Sequence, residues 1–238
     1  MSLLDSFFGK PPPVPAQLPA LELPTAAAIA EVAGPSDAAK LILPTVQTPS
    51  EYLAALQEKK MGPDMVKAMA HGLPDRAGVM WAAKSAEKVS AKLPPADVEA
   101  MQAAMAWVKD PSEAAQAAAA AAATKADLQG PGAWAAQAAA FAAPKAEGAP
   151  RLAPPAVSAA VMLAAAIEAF PKHATPKPKL PSLALPPTEE IAAAVPAPAA
   201  QAGPPPTVPA RIQAKEFQSQ QPFIAIGLDI ASGKLPVG

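Results

Sequence analysis

The chain has 238 residues, with 19 basic and 20 acidic side chains, 33 prolines and no cysteine. A net charge of −1 without a clustered Lys/Arg face lacks the electrostatic footprint of a nucleic-acid binder. The lack of thiols excludes a disulfide framework, a cysteine nucleophile and a thiolate metal site, and it suits a reducing cytoplasm, the location expected here.

The 51% apolar content is mostly alanine, with aromatics at 4%. Apolar burial stabilises by roughly 25 cal/mol per Å², so such a core gains little per residue. Close helix packing and high helix propensity have to supply the difference. The prolines cluster, which divides the chain into residues 1–24 (an apolar tip and Pro-rich linker), 25–170 (a helical domain), 171–210 (a Pro/Ala-rich linker) and 211–238 (a C-terminal helix packing back on the domain). The fold class expected is all-α, a compact bundle of about seven to nine short helices with proline-rich extended segments around it.

The opening residues, MSLLDSFFGK, lack the charged and apolar regions of a signal peptide. They place Leu3, Leu4, Phe7 and Phe8 around Asp5 and Ser6. A proline-rich stretch over 11–24 follows and reads as an extended, semi-rigid stalk. A greasy tip on a stalk suits docking to a partner. The alternatives are a tip folded back on the domain or a disordered end.

From Thr25 to Phe141 the pattern is consecutive helices. Thr48-Pro49-Ser50-Glu51 is a capping box with proline at the first helical position. Asp110-Pro111-Ser112-Glu113 reads as the same device, and prolines at 63, 74 and 95 open further helices. Val79, Met80, Ala83 and Ala86 give one buried stripe, with Trp81 beside it. Val98, Met101, Met105 and Val108, beside Trp107, give another. The alanine run over 113–127 predicts a central or closely packed helix. Residues 132–142 carry Trp134 and Phe141 on a further helix. After a polar break over 143–154, Val157, Val161, Ala164, Ile167 and Phe170 mark a helix over 155–170. No apolar run reaches the ~18 residues of a membrane span. The last helix is expected to begin at Pro222, because proline breaks a helix interior, and to end at Gly233.

Catalytic chemistry has few candidates. His71 sits at a predicted helix C-terminus, where it would interact with the final carbonyls and the dipole; His173 and Glu189-Glu190 fall in the second linker. Asp75 and Arg76 read as an exposed cap and a surface ion pair. No phosphate loop, dinucleotide fingerprint, zinc spacing or nucleophile elbow occurs, so no catalytic, cofactor or metal site is assigned. Trp81, Trp107 and Trp134 should anchor one core, unless one stays exposed as an interface anchor. The partner-binding candidates are Leu3, Leu4, Phe7, Phe8 and Trp81.

The order Leu73-Pro74-Asp75-Arg76 into Val79-Met80-Trp81-Ala82, then Ala106-Trp107-Val108-Lys109-Asp110-Pro111-Ser112-Glu113 and Pro131-Gly132-Ala133-Trp134-Ala135-Ala136, resembles a bacterial family of helical proteins known only as a domain of unknown function. The helix from Val157 to Ala166 and the closing Gly227-Leu228-Asp229-Ile230-Ala231-Ser232-Gly233 fit the same pattern. The resemblance covers about 37–170 and 217–238 and departs at Met80 (a second aromatic in the pattern), at Ala77 (a glutamate) and in the long 171–210 connection. It implies an association with type VI secretion gene clusters.

The function expected is therefore a non-catalytic adaptor or accessory protein of a multiprotein assembly, with protein partners from a secretion apparatus and no nucleic acid. The alternative is an alanine-rich coating protein on a granule or membrane surface, which calls for long helices with a continuous apolar face. An enzyme would need a site that motifs do not reveal.

Overall fold

The computed structural model describes residues 11–142, 151–170 and 210–237. Among them are ten α-helices and no strand. These are α1 (Ala26–Ala33), α2 (Asp37–Lys40), α3 (Pro49–Glu58), α4 (Gly62–Gly72), α5 (Asp75–Lys88), α6 (Pro95–Lys109), α7 (Glu113–Lys125), α8 (Pro131–Phe141), α9 (Ala153–Ala169) and α10 (Ala210–Ala231). The all-α expectation holds. His173, Glu189, Glu190 and the 171–210 linker up to α10 lie outside the described residues.

Local chemistry sets many of the helix starts. Thr25, Ser36, Thr48 and Ser112 each accept a backbone N–H of the first turn. At Thr48 the box is reciprocal, with Glu51 reaching back to the N-cap amide. The expected second box at Asp110 is displaced: Ser112 is the cap, and Pro111 stays outside α7. Proline near the first position starts α3, α4, α6, α8 and α9, where its missing N–H removes nothing from the helix.

The centre of the bundle is α8, which packs against α5, α6, α7 and α9. Its buried residues are Pro131, Gly132 and alanines 133, 135, 136, 138 and 139, so the neighbouring backbones can approach closely. The alanine run is expected to be central or closely packed: α7 packs against α6 and α8, but the central place belongs to α8, and in α7 only Ala119 and Ala123 are buried. An unbroken alanine run has no apolar face to choose, and α7 lies mainly against α6 and α8. In α6 the buried stripe is Asp97, Ala100, Met101, Ala104, Trp107 and Val108. Val98 and Met105, expected in it, are half-buried.

α10 closes the bundle against α9, α5 and α4. It runs through Pro222 instead of starting there. A proline inside a helix costs about 3 kcal/mol, and burial of Phe217 before it and of Phe223 and Ile224 after it offsets that cost. The Gln221 side-chain amide donates to the Phe217 carbonyl at 3.4 Å.

Residues 11–24 are not a free stalk. Ala20 N–H donates to Ala231 O at 3.0 Å and Glu22 N–H to Gly72 O at 2.8 Å. Ser50 Oγ donates to Pro15 O and Gln57 Nε2 to Pro12 O. Val14, Leu18, Leu21 and Leu23 pack on the core. Proline removes main-chain donors but keeps carbonyls, and the helices supply the side-chain donors that reach those carbonyls.

Candidate docking groove

The groove is built from the turn between α3 and α4. The turn closes with Lys60 N–H on Gln57 O and Met61 N–H on Leu56 O, the paired bonds of a Schellman motif. Its left-handed position, normally glycine, holds Lys60 at φ 57°. A side chain there costs roughly 1–2 kcal/mol, which makes Lys60 a residue whose side chain has to be explained.

α2 is fixed beside this turn by one carboxylate. Asp64 in the first turn of α4 accepts from Ser36 N–H and from Ser36 Oγ, both at 2.8 Å, while Ser36 Oγ accepts from Ala39 N–H at 3.3 Å. Buried and beside the Asp64 charge, the Tyr52 hydroxyl is pushed up to about 12. α10 supplies the far wall through Glu216 and Phe217.

The result is a half-open groove of about 630 Å³, within the roughly 300–1,000 Å³ range of pockets that enclose organic ligands. Ile42, Asp64 and Phe217 are its buried lining residues. Leu41 stands at its edge, 80% exposed, with Lys59, Lys60 and Glu216 also exposed around it. Apart from the Asp64 carboxylate, which is bonded to Ser36, the groove is apolar below and charged at the rim, an arrangement that suits a peptide bearing large apolar side chains.

A family model, Family of unknown function (DUF6931), matches residues 52–179, just over half of the 238. The chain belongs to this family. No curated protein and no solved structure is similar enough to the chain to count as a match. The family match runs from α3 through α9 and includes the Lys59–Asp64 wall of the groove. Ala38, Leu41 and Ile42, and Glu216 and Phe217 of α10, lie outside it.

Trp81 is not a surface anchor. It is 0% exposed, and its indole N–H donates to Phe223 O at 2.7 Å. It fits because Gly227 of α10 has no side chain: a Cβ there would stand 2.7 Å from Trp81 Cε2 and 2.5 Å from Met69 Cε. Trp107 is 5% exposed and Trp134 half-buried against the same core. Leu3, Leu4, Phe7 and Phe8 lie outside the described residues.

Two polar centres were not evident in the sequence. Asp97 is buried and accepts from Gly132 N–H at 3.2 Å and Ala133 N–H at 2.7 Å, so the first turn of α6 caps α8. Burial raises its pKa, against the pull of the two amides. Arg151 donates to the Asp75 carboxylate and, at 3.1 and 2.8 Å, to the carbonyls of His71 and Leu73. Asp75 is therefore not an exposed cap. Arg76, expected in a surface ion pair, donates instead to Val108 O at 2.7 Å at the end of α6. His71 occupies the last turn of α4 as expected, and burial first, then the Arg151 and Lys67 charges, lower its pKa.

Proposed function

We propose that this protein is a non-catalytic cytoplasmic adaptor of a multiprotein assembly, and that the assembly is a type VI secretion apparatus. The reading rests on the groove. Its floor of Ile42 and Phe217, exposed Leu41 and left-handed Lys60 make a rim and cleft for apolar side chains of a protein partner. The titratable groups drawn into the domain favour a structural account. Asp64, Asp75 and Asp97 are each taken up by a serine, an arginine or backbone amides that join helices. The choice of assembly rests on the resemblance of the tryptophan-bearing segments to a family linked with secretion gene clusters.

A coating role has less support. The longest described helix, α10, buries Phe217, Phe223, Ile224, Leu228 and Ile230 in the domain, and no helix among the described residues is long and apolar enough to cross a membrane.

Purification of the tagged chain from its native host tests the proposal. Secretion-apparatus proteins should accompany the wild-type chain and be lost with Leu41→Glu, at unchanged helicity. Lys60→Gly should weaken their recovery while raising stability by about 1 kcal/mol, because glycine adopts the left-handed conformation at no steric cost. Undiminished recovery with Leu41→Glu would overturn the groove as the docking site.

A further inference from the structure

The path of residues 11–20 points into the groove. Ala20 N–H is bonded to Ala231 O, at the end of α10. Further back along the chain, Pro15 O meets Ser50 at the start of α3, and Pro12 O meets Gln57 near its end. Gln57 Nε2 also reaches Gln221 Oε1 at 3.4 Å, so Pro12 lies nearly three turns of α10 before Ala231. Between the Ser50 and Gln57 contacts α3 advances about 10 Å, at 1.5 Å per residue. The extended stretch from Pro15 to Pro12 covers about the same distance, at roughly 3.1 Å per residue. The extended segment and the two helices therefore keep step, and the next positions, just past the end of α3 and one turn further back on α10, are Lys59, Lys60, Phe217 and Glu216, which line the groove.

We propose that the groove seats the chain's own first ten residues, in cis. Their chemistry matches it. Leu3, Leu4, Phe7 and Phe8 fall on one face at helical spacing, the kind of apolar edge that Ile42, Phe217 and Leu41 accommodate. Ser2-Leu3-Leu4-Asp5 has the spacing of a helix-opening box. Asp5 complements Lys59 and Lys60, and Lys10 complements Glu216. Ten residues reach at most about 35 Å, and the groove begins within a turn or two of where Pro11 lies. The tether makes this encounter intramolecular, so a partner that takes either the apolar tip or the groove has to displace one from the other. The seated tip is thus a built-in competitor that sets a threshold for docking.

The chain's lack of cysteine makes a direct test possible. Ser6→Cys and Ala38→Cys are introduced together in the full chain, and disulfide formation is followed under mild oxidation. The expected product is an intramolecular disulfide in a monomer. It should form about tenfold or more faster than with Ser6→Cys paired to Gln102→Cys on α6, given the millimolar effective concentrations of short tethers. Adding Phe7→Asp and Phe8→Asp should bring the rate down to that of the control pair. A rate equal to the control, a rate indifferent to the aspartates, or disulfides only between two chains would each overturn the proposal; the last would assign the groove to a second copy. The assay needs no partner, so it can fail or succeed independently of the secretion assignment.

Discussion

Asp97 brings a carboxylate into an alanine-rich core, and the glycines around it show how closely it is held. A Cβ on Gly130 would stand 2.2 Å from Asp97 Oδ2, and one on Gly132 would stand 2.0 Å from the Asp97 carbonyl. Asp97→Ala strands two buried amides and should cost about 1–3 kcal/mol in urea unfolding. Gly132→Ala forces backbone apart and should cost at least as much. The two changes share one contact, so their effects should not add. His71 gives a test by pH. Its folded pKa lies below the ordinary 6.5 because burial and the Arg151 and Lys67 charges oppose protonation. The unfolded chain then binds the proton more readily, so this contribution is complete above pH 6.5 and is lost as pH falls through the folded value. His71→Gln should flatten the decline of Tm between pH 7 and pH 5 relative to wild type; an unchanged slope would contradict the burial argument. The Thr48 box was legible in sequence because its partners are three residues apart. The Asp97 cap and the Arg151 cluster join residues 35 or more apart, and no local spacing announces such pairs.

At the scale of elements, the lock between α5 and α10 decides whether the last helix belongs to the domain. Trp81 donates to Phe223 O and lies against Gly227. Gly227→Ala meets a flexible methionine end on one side and a rigid indole on the other, and should cost about 1–3 kcal/mol. Amides of α10 should exchange faster in this variant while those of α8 hold, since α10 lies at the edge and α8 at the centre. Equal acceleration throughout would mean that the two helices open together. Helix existence was readable from caps, prolines and apolar spacing. The choice of central helix was not, because alanine favours helix in α7 and α8 alike while the packing of four neighbours selects α8. Pro222 misled for a related reason: the rule that places it at a helix start is local, and the burial of Phe217, Phe223 and Ile224 that overrides it is tertiary.

For the whole molecule, the bundle brings α2, the turn between α3 and α4, and α10 together around one cleft. Three chain segments far apart in sequence (Ala38–Ile42, Lys59–Asp64 and Glu216–Phe217) meet there. That convergence explains why sequence reading put docking on the apolar tip and on Trp81 without finding the cleft. The fold turns Trp81 inward as core, and it leaves Leu41, a residue without any motif, at the exposed edge. The proposed docking function places a protein of the assembly against this edge. A photoreactive amino acid at position 41 of the full chain, activated in the native host and followed by mass spectrometry, tests it most directly. Adducts to a component of the type VI secretion apparatus are the predicted result. Adducts confined to the chain itself, under conditions in which that apparatus is assembled, would contradict it.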